Sequence, residues 1–320
     1  MTLDVSTLRQ TWPRPSRPRP IVIIGAGGIV RDAHLPAYRK ANLPVAGIYD
    51  LNPAAAEKRV AEFNLPRAFR SIEEAAAVPD AIFDVATPPG AHESVLEQLP
   101  DESVVVIQKP MGRDLEGARR IRDLCRRKRI KGAVNFQLRF STFMLAVQDL
   151  VQRGEMGEIV DVEFRLNLQT PWELFPFLLK EPRVELLVHT IHYLDLIRLF
   201  LGNPRRVYAR SVKHPRFPNL ASTRSSVILD YGDQIRCCLS INHCHSFDTK
   251  HTDASARIEG TEGCAIATLG LLLDYPRGRP DRLEVFARSN RQWRRATTMS
   301  AMRCAARSGR TMRFRPTARP

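Results

Sequence analysis

The chain has 320 residues, 43% hydrophobic and 26% charged, a balance that supports two globular domains at roughly 150 residues each and excludes a disordered polymer. Its formal net charge is +15, yet residues 277–320 contribute +11 and residues 1–20 contribute +3, leaving +1 for the whole stretch between them. A basic face spread over the fold is thereby disfavoured, and no specific nucleic-acid partner is expected.

No membrane association is expected either. The longest uncharged apolar run, Ile21 to Val30, stops at Arg31, well short of the about 20 residues a membrane helix needs. The N-terminus carries Asp4 and a TWPRPSRPRP stretch instead of an apolar signal segment, and the six cysteines follow no disulfide-framework spacing. These features predict a cytoplasmic chain with reduced thiols, preceded by a proline-rich extension over residues 1–20.

From Ile21 the pattern is that of a parallel sheet. The run Ile21–Ile24 is predicted as a strand stopped by Gly25, a helix follows from about Arg31 to Ala41, and Val45–Tyr49 is the next strand. A helix over Pro53–Phe63 and strands over Ala81–Val85, Val104–Ile107 and Gly132–Val134 continue the alternation. Continuously apolar strands alternating with helices mark a doubly wound α/β sheet covered on both faces. Asp114 is placed to cap a helix reaching Arg129, and the arginines of that helix read as a solvated outer face.

Beyond about residue 157 the strands lengthen. Ile159–Leu168, Val207–Val212, Ser226–Leu229 and Ile235–His243, with turns such as Tyr231-Gly232-Asp233, predict antiparallel pairing. One helix, Glu185–Leu201, interrupts them and ends at Gly202-Asn203-Pro204. The second half is therefore an α+β unit with one open-faced antiparallel sheet. The expected division is an N-terminal extension (1–20), a dinucleotide-binding domain (21–135), a substrate and oligomerisation domain (136–293) and an Arg-rich, disordered tail (294–320).

GAGGIV at residues 25–30 follows a strand and opens a helix, the context that a dinucleotide fingerprint requires. Gly25 permits the tight turn, Gly27 lets the backbone approach a pyrophosphate at the helix N-terminus, and Gly28 and Ile29 complete the loop. Asp50 ends the second strand 20 residues after Val30, where a carboxylate takes the ribose hydroxyls and repels a 2′-phosphate. Leu51 and Asn52 supply no arginine for such a phosphate, so NAD is favoured over NADP. Thr87-Pro88-Pro89-Gly90, with His92 close behind, and Gln108-Lys109-Pro110 end the third and fourth strands at the edge where the nicotinamide half of the cofactor runs. A lysine there, dried by a substrate, has a lowered pKa and can shuttle a proton. Asn135, ending the fifth strand, is placed on the substrate side.

Glu185, His189 and His192 fall at i, i+4 and i+7, about 60° of arc on a regular α-helix, and form one polar stripe. No metal is expected on it, because the spacing is not that of HExxH. None is expected at His243-Cys244-His245 with Cys237 and Cys238, because strand alternation sends Cys244 to the face opposite the two histidines. Those histidines are left to line the substrate pocket or a subunit interface.

Taken in order, GAGGIV with Asp50, ATPPGAH (86–92), QKP (108–110) and HYLDLIRLFLG (192–202) resemble the glucose-fructose oxidoreductase, inositol dehydrogenase and MocA family (Gfo/Idh/MocA), from about residue 20 to Trp293. The resemblance implies a Rossmann domain, an open-faced sheet domain, NAD(P) between them, and oxidation or reduction of a carbinol carbon in a sugar, polyol or related molecule. It implies that Lys109 takes the role of the lysine in the family's E-K-P motif and His192 that of the active-site histidine, with Trp172 a pocket wall. Gln108 departs from the family's Glu, and Val188 stands where many members carry an Asp four residues before the histidine. Glu185, four before His189, is the carboxylate expected to stand in, so either histidine could face the substrate. A catalytically impaired NAD-binding member and a NAD-dependent glycosidase of the same fold are the alternative readings, and the open sheet is the expected route to a homo-oligomer.

Overall fold

The computed structural model describes residues 4–174, 178–179, 183–248, 250–274, 278–289 and 292–300. Strands β1 (Ile21–Ile24), β2 (Val45–Tyr49), β3 (Ile82–Val85), β4 (Val104–Ile107) and β5 (Lys131–Val134) form an all-parallel sheet in the order β2-β1-β3-β4-β5. Helices α1 (Leu35–Ala41), α2 (Pro53–Phe63), α3 (Ile72–Ala76), α4 (His92–Gln98) and α5 (Leu115–Arg127) connect and cover it. Leu35 and Ala56 pack with Ile21, Ile23 and Ile48 on one face, while Val95, Leu96, Ile121 and Leu124 pack with Val22, Ile24, Phe83 and Val105 on the other. Burial on both faces explains why β1 at the centre of the sheet is apolar throughout. The connection sense reverses between β1 and β3, and in such sheets ligands bind beyond the carboxyl ends of the strands at that switch.

Asp114 caps α5 by accepting the Gly117 amide at 2.7 Å. The exposed arginines of this region pair with acids next door, Arg120 with Glu93, Arg127 with Glu97 and Arg129 with Glu102, so the face is an ion-paired solvated surface as predicted.

The second sheet comprises β6 (Ile159–Asn167), β7 (Arg206–Val212), β8 (Arg224–Asp230), β9 (Arg236–Asn242), β10 (Asp253–Gly260), β11 (Gly263–Thr268), β12 (Arg282–Ser289) and β13 (Gln292–Ser300) in the order β13-β12-β11-β10-β6-β9-β8-β7. All neighbours are antiparallel except β6 and β9, which run parallel and make the sheet mixed. One face packs under α6 (Thr142–Gln152) and α7 (Ile191–Leu201): Met144, Val147, Tyr193 and Leu196 join Val162, Phe164, Leu239 and Ala256 in one core. The other face leaves Tyr208 and Ile228, cross-strand partners on β7 and β8, exposed.

Three expectations are corrected. The β10–β11 hairpin was not anticipated, because DASARIEG and GCAIAT are built largely from small residues that carry little β signal. The boundary at 293/294 falls inside β13, which pairs with β12 from Ser289↔Gln292 to Arg282↔Ser300. Residues 294–300 are therefore strand and not disordered tail, since an edge strand needs backbone pairing and tolerates charge; residues 301–320 lie outside the described residues. The predicted helix 185–201 is two segments, a π-helical Glu185–Thr190 followed by α7.

The N-terminal extension is docked. Leu8 is buried in the core of the second sheet, the Arg9 amide donates to Asp149 on α6 at 2.9 Å, and Trp12 meets Phe140 edge-on at 5.2 Å. No helix among the described residues is long and apolar enough to cross a membrane.

Candidate active site

The glycine turn is held from beneath. Gly25 adopts φ +111°, and a Cβ there would meet the Ala86 carbonyl oxygen at 2.6 Å, so β1 and β3 approach through a place only glycine fits. Gly27, Gly28 and Ile29 form an exposed crest, and a Cβ on Gly27 would meet nothing within 4 Å. Open space above amides that a helix start leaves without intrahelical acceptors fits a pyrophosphate. Asp50 accepts the Ala26 amide at 2.7 Å through Oδ2 and the Asn52 amide at 2.8 Å through Oδ1; each oxygen keeps a lone pair for a ribose hydroxyl. Thr87 Oγ1 is buried without a partner at the end of β3, beside this turn, and Pro88 is exposed next to it. These residues fit a dinucleotide.

His92 has a different place from the one expected. It is fully buried, and its two ring nitrogens lie 2.9 Å from the carbonyls of Thr87 and Met111. It ties two loops together and does not present itself to a ligand.

Several residues of this edge were not singled out in the sequence. The π-helical segment Val30–His34 brings His34 inward, with Nδ1 2.7 Å from Asp84 Oδ2, an oxygen that also accepts from the Tyr38 hydroxyl at 2.9 Å. Gln108 Nε2 (3.5 Å) and Asn135 Nδ2 (3.4 Å) both converge on His34 Nε2. Amide NH₂ groups only donate, so Nε2 carries the lone pair and Nδ1–H points to Asp84. The readable signal was an Asp inside the buried strand IFDV. Arg59, buried and donating to the Ala26 carbonyl at 3.1 Å, supports the glycine turn and was also missed.

This network accounts for Gln108. A carboxylate in its place would face the lone pair of His34 Nε2. Gln108→Glu is therefore expected to lower stability by about 1–3 kcal/mol, the range for an unsatisfied buried group, in thermal unfolding. It is also expected to move the pH dependence of turnover upward, because a carboxylate beside Lys109 favours the charged amine.

Lys109 sits at the end of β4, ahead of a cis peptide to Pro110, and its Nζ donates to the Val188 carbonyl at 3.1 Å. It therefore bridges the parallel sheet and the helix of the second half. Burial pushes the ammonium down to about 8. His189 and His192 are both held down at about 3, first by burial and then by the Lys109 charge, which puts the three groups at one place. His192 is buried, with Nδ1 lacking a partner and its ring edge-on to Phe136 at 6.0 Å. Arg139 clasps the Asp195 carboxylate, Nη2 to Oδ1 2.6 Å, and so fixes α7 against the chain leaving β5.

The predicted stripe does not form as drawn. An i+7 alignment assumes 3.6 residues per turn, and the π segment has more, so Glu185 and His189 are rotated away from His192. Glu185 Oε2 lies 3.6 Å from His189 Nδ1, and Glu185 Oε1 lies 3.6 Å from Nε2 of His243, just past β9. The rings of His189 and His243 stack at 4.0 Å, and Trp172 covers them at 5.9 and 6.4 Å. His245 lies apart, next to Asn167 and Phe247.

A parallel nucleotide-type sheet with an open glycine crest, joined to a large mixed sheet by a buried lysine, defines a two-part dinucleotide-binding protein. Residues 19–136 match the model described as oxidoreductase family, NAD-binding Rossmann fold, and residues 144–266 match the GFO/IDH/MocA C-terminal domain. The chain belongs to the Gfo/Idh/MocA family. It is 32% identical over 151 residues to glucose-6-phosphate 3-dehydrogenase of Bacillus subtilis, a match covering 46% of this chain and 42% of that protein. It is 23% identical over 239 residues to D-apiose dehydrogenase of Rhizobium rhizogenes, covering 72% and 68%. The fold is shared with an oxidoreductase from Agrobacterium radiobacter solved with NAD+, L-tartaric acid and magnesium (TM-score 0.73, 20% identity, covering 91% and 83%).

Proposed function

We propose that the chain is a NAD-dependent dehydrogenase that moves a hydride between nicotinamide and a hydroxyl-bearing carbon of a sugar, polyol or related small molecule. The observation that carries this is the Lys109 amine, buried at the end of a nucleotide-binding strand, held against the Val188 carbonyl and near enough for its charge to hold down both His189 and His192. Gly25, Gly27, Gly28, Ile29, Asp50, Thr87, Pro88 and Gln108 would hold the dinucleotide, which when bound supplies the hydride acceptor. Lys109, as the neutral amine, takes the hydroxyl proton as the carbon is oxidised, and neutral His192 offers its unpartnered Nδ1 to orient the same hydroxyl. Asn135 and Trp172 bound the space for the substrate.

The sugar substrates in the names of the two relatives support this class, and Asp50 supports NAD over NADP. In this reading residues 21–135 hold the cofactor and the remainder from 136 through β13 holds the substrate. The five free cysteines among the described residues support a reducing, cytoplasmic setting. The exposed pair Tyr208 and Ile228 supports a homo-oligomer through the open sheet.

A sugar and polyol panel followed by NADH fluorescence tests the function. Net NADH formation with at least one member is the expected result. NADH binding without turnover on any member, or glycoside cleavage with no net NADH, overturns it.

A further inference from the structure

We propose that Glu185, His189 and His243 form a binding site for one divalent transition-metal cation, zinc foremost. Three ligand atoms, one from each residue, lie within 4.8 Å of one another. Glu185 is completely buried and His243 nearly so, and Glu185 Oε2, His189 Nδ1 and His243 Nε2 are all buried without a hydrogen-bond partner. Three buried polar atoms left without partners in one place are costly, and a cation satisfies all of them together.

Tetrahedral ligands about 2.1 Å from a zinc are about 3.4 Å apart; His189 Nδ1 lies 3.6 Å from Glu185 Oε2, and His243 Nε2 lies 3.6 Å from Glu185 Oε1. The two rings stack at 4.0 Å, so one of them turns as the ion enters, to aim its nitrogen at it in the ring plane. The surrounding groups orient the ligands. His243 Nδ1 lies 2.8 Å from Thr170 Oγ1, so its proton can be placed there and Nε2 left as the lone-pair nitrogen; Thr190 Oγ1 donates to Glu185 Oε1 at 3.0 Å. Hydrogen bonds of this kind, from groups behind the ligands, are what metal-binding histidines and carboxylates ordinarily have. Two imidazoles and one carboxylate select zinc, cobalt, nickel or copper over magnesium and calcium. Of the three ligands His189 is the most exposed, its side chain 20% accessible, which gives the ion its way in.

No metal was expected from the sequence, because the histidine spacing matches no metal motif. The third ligand comes from a strand end more than 50 residues downstream, and the π-helical turn, not an HExxH spacing, presents the other two.

Chelator-treated full-length protein titrated with Co²⁺, followed by visible d–d absorption and then Zn²⁺ competition, tests the site, with metal content measured by mass spectrometry. The expected result is one ion per chain. Binding should be weaker by about 100-fold or more in Glu185→Gln, His189→Asn and His243→Asn, by about 10- to 100-fold in Thr170→Val and Thr190→Val, and unchanged in His245→Asn. Thermal unfolding and NADH binding check that each variant is folded; should a buried ligand variant fail to fold, the part-exposed His189→Asn decides. Absence of Co²⁺ and Zn²⁺ binding to the wild type, or equal affinity in the ligand variants, overturns the site. The readout is metal binding, so the outcome is independent of whether any sugar is oxidised.

Discussion

Lys109→Ala is expected to lower turnover of the substrate that the panel identifies by about 10²- to 10⁴-fold, the range for loss of a positioned proton-transfer group, while NADH still binds. Burial brings the titration of this amine near neutrality, to about 8. His189 and His192, held down at about 3, do not titrate in that range. In the oxidation direction the neutral amine is the working form. Rate therefore rises with pH through about 8 and levels off above it, and this limb disappears in the variant. Cofactor contacts at the glycine turn lie on β1 and β2, away from the lysine, which is why NADH affinity serves as the control. Unchanged turnover in Lys109→Ala removes the lysine from the chemistry.

Gly25→Ala is expected to abolish measurable NADH binding and to cost about 3 kcal/mol or more in unfolding free energy. A left-handed φ costs a non-glycine residue about 1–2 kcal/mol. The larger part comes from the Ala86 carbonyl only 2.6 Å from the new Cβ. That obstacle is backbone within a buried sheet edge, so it cannot rotate aside, and β1 and β3 must part at the position where the cofactor turn and the Thr87 loop meet. Gly27→Ala is the matched contrast: its Cβ enters open space, so the fold survives and only the approach of a phosphate is hindered. Denaturant unfolding and NADH titration of both variants separate the effects, and equal stability of Gly25→Ala and wild type contradicts the close packing of Gly25 on Ala86.

The legible parts of the chain were those where local pattern and tertiary role agree. Strands β1 and β2 and helix α2 begin and end where the apolar runs and the proline and glycine signals put them, because a strand buried on both faces has no other way to be written. The GAGGIV turn and Asp50 were readable for a similar reason: they belong to one βαβ unit, and their spacing along the chain sets their spacing in the fold. The polar groups of the second half were not. His192 was placed on one stripe with Glu185 and His189 by a 3.6-residue period, and the π-helical turn at Glu185–Thr190 breaks that period without any proline or glycine to announce it. His34 was overlooked for the same reason, since a second π-helical segment carries it to Asp84.

The sequence by itself determined the class: continuously apolar strands between helices, a glycine turn followed by a carboxylate, and a lysine closing a buried strand specify a nucleotide-binding sheet, since each feature rests on residues close in the chain. Only the tertiary structure decided which side chains share a site. Lys109 meets Val188 across 79 residues and Glu185 meets His243 across 58, and a contact between separate elements depends on packing angle and helical phase, neither of which a local pattern records.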